Sequence, residues 1–310
     1  MRSRASKSAR VEFEVSGGLG NQILCLAAAL CYSNAQKNYI QLNLGRYFDK
    51  IGLSREHPGH SNREYELSNF ELTNEKDFLA TEKNNLCYVR RIHPAKKLRI
   101  VIQKIFGKIL RTYFISDGNL ANIPNSVRRS LLVWGNFLRL NNVERAKKLG
   151  LEKLTLKHKS ARYSAFELMR EPNVIVLHIR LGDYLKTYPE LILGVDYYLS
   201  ACKKLTNMGA LPKVQVFSDD SLLARDFFNL TEFSEFEFDY PEIDQQFSSS
   251  EVFTYIRESK FIVGSCSTFS GVAVILGSNI TMAILPRKIC ELFGSIEKSR
   301  GDIFLLESSK

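Results

Sequence analysis

Four short polar clusters carry residue types suited to a phosphorylated ligand. In Ser16-Gly17-Gly18-Leu19-Gly20-Asn21-Gln22 the glycines leave bare backbone just before an apolar, helix-like run, which admits close approach by a phosphate or a sugar. The pattern is not G-x-G-x-x-G, and no acidic residue stands about 20 positions on to hold a ribose, so a dinucleotide-binding fold is disfavoured. In His178-Ile179-Arg180-Leu181-Gly182-Asp183-Tyr184, Arg180 offers a planar guanidinium able to grip a diphosphate bidentately and offset charge developing on a leaving group. The same string also suits an Arg–Asp ion pair that fastens a loop. Phe217-Ser218-Asp219-Asp220 supplies adjacent carboxylates. Ser265-Cys266-Ser267-Thr268-Phe269-Ser270-Gly271 places hydroxyls at 267, 268 and 270, more than a helix N-cap needs, at a point where helical N–H groups favour an anion.

Each cluster follows a segment that reads as a strand. Residues 11–15 alternate apolar and acidic types, 21–35 read as a helix and 39–44 as the next strand. Residues 131–133 form a short strand leading into Trp134-Gly135-Asn136-Phe137, and 142–149 and 157–172 look helical. From residue 173 the alternation is regular: strands at 174–179, 214–218, 261–264 and 281–285, with helices at 196–205, 221–228, 249–259 and 269–276. The uninterrupted apolar run 174–179 is what a strand buried on both faces requires. Such alternation predicts a doubly wound, parallel α/β sheet, and ligands of open parallel sheets bind beyond the carboxyl ends of the strands, where the four clusters fall.

Taken together, GGLGNQ, HIRLGDY followed by Asp196-Tyr197-Tyr198, FSDD and STFS resemble, in order and rough spacing, the α-1,2-fucosyltransferase family (glycosyltransferase family 11-like). That family is similar in turn to other GDP-fucose-dependent transferases with an HxRxGD-like motif. The resemblance spans about residues 11–285. It implies a GT-B-type α/β fold of two Rossmann-like domains with mostly parallel sheets: residues 1–170 as an acceptor-binding domain with the GGLGNQ loop at the cleft, and 171–310 as the nucleotide-sugar-binding domain. It further implies transfer of fucose from GDP-fucose to an acceptor hydroxyl, by family analogy the 2-hydroxyl, with inversion and with no cofactor or metal needed for the chemistry. Carried over by motif, Arg180 would bind the β-phosphate and assist departure of GDP, with His178 and Gly182 shaping its loop. Gly18 and Asn21 would approach the donor from the first domain. Asp219, with Asp220 beside it, would sit near the base or ribose, and Ser267, Thr268 and Ser270 would hold the diphosphate. For the base that takes the acceptor's proton, Asp183 is one candidate, with a loop-holding role as its alternative reading, and Glu190 is another; the role stays open. The chain departs from the family at Leu181, where a second arginine is usual, and at Gly271-Val272-Ala273-Val274, which replaces a tryptophan-rich stretch. These departures leave open a related transferase using another nucleotide sugar, or a nucleotide-sugar-binding protein without turnover.

Composition narrows the remaining classes. The 310 residues suit one large or two medium domains, and no apolar run approaches the ~18–20 residues of a membrane span. The basic start MRSRASKSAR has no apolar run behind it, so a secretory signal is not expected. Cys25, Cys31, Cys87, Cys202, Cys266 and Cys290 lack paired spacing, and the histidines are scattered, so neither a disulfide framework nor a metal site is expected. Residues 1–150 hold 25 Lys and Arg against 12 Asp and Glu, whereas the rest hold 18 against 21. Within the basic half, 90–116 contains no acidic residue and places Leu98, Val101, Ile102, Ile105 and Ile109 at helical spacing. That segment reads as a core-packed helix with a solvated basic face or as an interfacial helix resting on anionic lipid. Aromatic–basic interleaving of the kind that binds nucleic acid is absent. The expected partners are therefore a nucleotide-sugar donor and a glycan acceptor, free or lipid-linked, and no nucleic acid. The expected location is cytoplasmic, with peripheral contact at the inner face of the plasma membrane.

Overall fold

The computed structural model of the chain describes residues 10–36, 39–43, 65–71, 112–115, 120, 123, 131–135, 137, 139–229, 233–242, 246–296 and 302–307. The basic stretch apart from 112–115, most of the 52–69 loop, Asn136 and Cys87 lie outside them.

In the first half, β1 (Arg10–Glu14) is the inner strand of a four-stranded parallel sheet. On one side it pairs with β2 (Tyr39–Asn43) and on the other with β5 (Leu131–Gly135), which carries β4 (Thr112–Ile115) at the edge. The glycine turn after β1 leads into α1 (Leu19–Gln36), a helix apolar on nearly every side. An all-round apolar helix must be covered all round. Here α1 packs against β1, against α2 (Leu140–Lys147) and against a helix of the second half. A small antiparallel pair follows, β3 (Phe70–Glu71) with β6 (Thr155–Leu156), and then α3 (Ala161–Leu168), capped by Ser160.

The second half is a six-stranded, wholly parallel sheet. In chain order its elements are β7 (Ile175–Ile179), α4 (Tyr184–Thr187), α5 (Val195–Thr206), β8 (Lys213–Ser218), α6 (Ser221–Phe228) and β9 (Glu237–Asp239). Then follow α7 (Ser249–Arg257), β10 (Phe261–Val263), α8 (Thr268–Leu276), β11 (Met282–Pro286), α9 (Lys288–Phe293) and β12 (Ile303–Leu306). The spatial order β12-β11-β10-β7-β8-β9 is that of a doubly wound sheet whose direction reverses between β7 and β10. Alternate side chains of the strands serve two apolar layers. Ile175, Leu177, Ile179, Val214 and Val216 meet α5 and α6, whereas Val176, Phe217 and Ile262 meet α7 and α8. The α7–α8 layer belongs to the same apolar cluster as α1, α2 and β1, so the two sheets share one core.

The sequence reading agrees with these elements to within a few residues from β1 to β11. It lacks β3, β4, β6, α4, β9, α9 and β12, and 157–172 narrows to the helix Ala161–Leu168. No helix among the described residues is long and apolar enough to cross a membrane. Cys25, Cys31, Cys202, Cys266 and Cys290 are free thiols.

Candidate active site

The reversal between β7 and β10 is the switch point at which open parallel sheets form a binding crevice beyond the carboxyl ends of their strands, and the clusters at 178–184 and 265–271 meet there. His178, on β7, is buried with its ring stacked on Phe269 (centroids 4.9 Å apart, planes 26° apart). Its Nδ1 lies 2.7 Å from Ser270 Oγ and 3.2 Å from Ser265 Oγ. Burial, assisted by the charge of Arg180, lowers its pKa to about 3, so the imidazole is neutral at physiological pH. Ser270 Oγ also accepts from Ser265 N at 3.2 Å and lies 3.4 Å from Ser267 Oγ, while Ser267 caps α8 by accepting from Ser270 N. The hydroxyls of Ser267 and Ser270 are thus buried and engaged in holding the turn. Thr268 is half-buried at the first turn of α8.

Thr268 Oγ1 donates to Asn21 Oδ1 at 2.7 Å, which joins the glycine loop of the first sheet to the start of α8. The loop can come this close because Gly20 has no side chain: a Cβ there would stand 2.6 Å from Phe269 N and 2.8 Å from Thr268 C. Gly17 adopts φ +83°, a left-handed conformation that favours glycine. The carbonyl of Gly18 accepts from Gln22 N at 3.0 Å. Gln22 is fully buried, donates to Gly17 O at 3.0 Å, and accepts from Glu66 N (2.9 Å) and Leu67 N (3.1 Å). The glutamine of GGLGNQ is therefore a clamp, a role that sequence reasoning missed because its partners lie more than forty residues on.

Arg180 leaves the end of β7 and is held by two carboxylates. One terminal nitrogen lies 2.7 Å from Asp183 Oδ1 and Nε lies 3.3 Å from Asp219 Oδ2, with the guanidinium 17% exposed. The second terminal nitrogen enters neither ion pair. Asp219 Oδ1 also accepts from Leu181 N at 2.9 Å, and a Cβ on Gly182 would collide with the Asp219 carboxylate. Asp219 thus locks the loop that carries Arg180. Asp220 faces another way, capping α6 by accepting from Leu223 N at 3.1 Å. Glu190 is exposed in the turn Pro189–Leu191, with its carbonyl held by Lys288 Nζ.

Two further residues belong here. Glu242, after β9, accepts from Ser218 N at 2.8 Å and so braces the end of β8 that carries Asp219. Burial, with the charge of Asp219 adding to it, raises its pKa to about 7. Sequence reasoning missed it because a lone Pro-Glu after an unrecognised strand carries no motif. Tyr197 is buried and donates to Gly264 O at 2.9 Å, fixing the end of β10 from beneath. Among the described residues, no group of three His, Cys, Asp or Glu side chains is placed to hold a metal ion.

Chemically, the crevice offers a guanidinium pre-oriented by carboxylates, a helix start directed at the same space and an amide brought across from the other sheet. No protein-family model matches the chain, and no curated protein matches it in sequence. Its fold is nevertheless shared with solved structures. A crystal structure of POFUT1 in complex with GDP-fucose superposes with a TM-score of 0.53 at 12% identity, covering 89% of this chain and 98% of that one. The NodZ alpha-1,6-fucosyltransferase soaked with GDP-fucose gives 0.52 at 14% identity, over 87% and 93%. Fucosyltransferase NodZ from Bradyrhizobium gives 0.52 at 15% identity, over 87% and 94%. The fold is the α/β GT-B type found in these fucosyltransferases. The α-1,2 family suggested by the motifs is a finer assignment than this likeness carries.

Proposed function

We propose that the chain is a glycosyltransferase that moves fucose from GDP-fucose to a hydroxyl of a glycan acceptor, the 2-hydroxyl by resemblance, with inversion and with no metal in the chemistry. The observation that carries this reading is the convergence of Arg180, the start of α8 and Asn21 where the second sheet reverses. The POFUT1 structure in complex with GDP-fucose and the NodZ structure soaked with GDP-fucose support the choice of donor.

In this reading residues 171–310 hold the donor and 1–170 face the acceptor. On donor arrival the Arg180 guanidinium exchanges Asp183 for the β-phosphate, while Asp219 keeps Nε in place. Backbone N–H groups at the start of α8 take the remaining phosphate oxygens, joined by the Thr268 hydroxyl once it gives up its bond to Asn21. His178, Ser267 and Ser270 hold that start rigid, Gly182 lets Asp219 close on the loop, and Gly18 and Asn21 approach the sugar. The acceptor oxygen forms its bond to C1 as the bond from C1 to the β-phosphate oxygen breaks and GDP leaves with the electron pair. The acceptor's proton passes to Asp183, released from Arg180 and adjacent to the reacting centre.

Arg180→Ala removes the group that offsets charge on departing GDP, and transfer should fall about 10²–10³-fold. Wild-type rates from a folded Arg180→Ala protein would overturn the assignment. A second reading, nucleotide-sugar binding without turnover, is favoured by the fact that Asp183 and Asp219 already match the charge of Arg180. It predicts GDP binding with neither transfer to any acceptor nor donor hydrolysis.

A further inference from the structure

Directly after Arg180 the chain forms a short, heavily pinned segment. Leu185 N donates to Leu181 O (2.9 Å), Thr187 N to Asp183 O (3.0 Å) and Tyr188 N to Tyr184 O (2.9 Å), and the Thr187 hydroxyl donates to Asp183 O at 2.6 Å. Lys288 Nζ holds the next turn through Glu190 O at 2.5 Å. On this segment two aromatic rings continue outward from the guanidinium. The Arg180 carbon lies 5.6 Å from the centroid of Tyr184, and Tyr184 meets Tyr188 edge-on at 5.7 Å and 72°. The Tyr184 hydroxyl reaches Cys266 O at 3.5 Å, so this ring spans the mouth from β7 to the loop after β10. Tyr188 is 42% exposed and Leu185 beside it 49%. Among the described residues the other large exposed aromatic is Phe304, far along the sheet on edge strand β12 and covered by Lys204 at 3.9 Å.

We propose that the exposed ring of Tyr188, braced edge-on by Tyr184, is a stacking platform for a pyranose ring of the acceptor, one subsite out from Arg180. The inference rests on the transfer reading above and adds the chemical class of what binds beside it. A pyranose presents a face of C–H groups ringed by hydroxyls, and matches an aromatic face set among polar side chains. Here Lys186 and Glu190 are exposed on the same segment and available to the ring's hydroxyls. A protein or membrane partner is recognised by a contiguous apolar patch of several hundred Å²; here the exposed apolar residues Leu185 and Tyr188 alternate along the chain with exposed Lys186 and Glu190.

Saturation-transfer NMR on the full chain tests this with methyl β-D-galactopyranoside, methyl α-D-mannopyranoside and N-acetylglucosamine as probes and the open-chain polyol sorbitol as control. Transfer from aromatic protons to the C–H protons of one ring face is expected for at least one pyranoside. It should fall about five- to tenfold in Tyr188→Ala and persist in Tyr188→Phe, which keeps the ring. Thermal unfolding of both variants checks that the fold is kept. Equal transfer in Tyr188→Ala, equal transfer to sorbitol, or none to any pyranoside overturns the platform. GDP titration of the unmodified protein separates the two claims: GDP binding without sugar contact defeats the platform alone, whereas sugar contact without GDP binding defeats the donor reading.

Discussion

In the proposed transfer Arg180 is the residue on which the chemistry turns, and its setting is less simple than its motif. A guanidinium between two carboxylates is oriented rather than free, so in the proposed reading the donor exchanges with one carboxylate at one of its nitrogens. Glu242 stands one step behind, and its titration gives a test that does not depend on turnover. The folded protein holds the Glu242 proton up to about 7, above the ordinary 4.5, chiefly because of burial. The carboxyl therefore contributes stability that is fully present below about pH 4.5 and is lost as pH rises through about 7. Glu242→Gln keeps an acceptor for Ser218 N without the charge. Urea unfolding at pH 5 and pH 8 should show the variant gaining on wild type at the higher pH; the opposing titration of His178 is common to both proteins and cancels. A difference that does not change between the two pH values would contradict the buried setting. His178, Arg180, Asp183, Asp219 and the hydroxyls of 267–270 were all legible as a constellation. Their division of labour was not. That Ser270 serves His178, or that Asp220 caps a helix while Asp219 locks a loop, follows from hydrogen bonds between segments tens of residues apart.

At the scale of elements, the decisive contact is the glycine turn of α1 against the first turn of α8. Both sides of the Gly20 contact are backbone, so no rotamer change can relieve an added methyl group. Gly20→Ala should push the loop away, break the Asn21–Thr268 bond and lower stability by about 1–3 kcal/mol. Calorimetric unfolding together with the GDP dissociation constant measures this, and an unchanged protein would mean that the loop is not docked. The elements themselves were largely readable. The apolar run of β7 announces a strand buried on both faces, and Ser248, three residues before Glu251, announces the start of α7 with a capping box. The elements that escaped are the short helices α4 and α9 and short strands at sheet edges. β9 spans three residues with acids at both ends, and β12 is only partly buried, so neither carries a period strong enough to distinguish it from a loop.

For the whole molecule, two parallel sheets packed through shared helices bring motifs from both ends of the chain to one crevice. Alternating strands and helices predicted the second sheet, and a strand, turn, helix and strand the opening of the first; the shared core, in which α1 and α8 touch, depends on helix faces that were apolar all round and gave no direction from sequence alone. At this scale the proposed function requires the crevice to bind the diphosphate of a guanosine-linked sugar. Calorimetric titration with GDP, GDP-fucose, GDP-mannose and UDP-galactose, in the presence of EDTA, tests it most directly. Micromolar binding confined to the guanosine ligands, tightest for GDP or GDP-fucose and abolished in Arg180→Ala, is the result predicted. Binding of none of the four, or a preference for the uridine sugar, would contradict it.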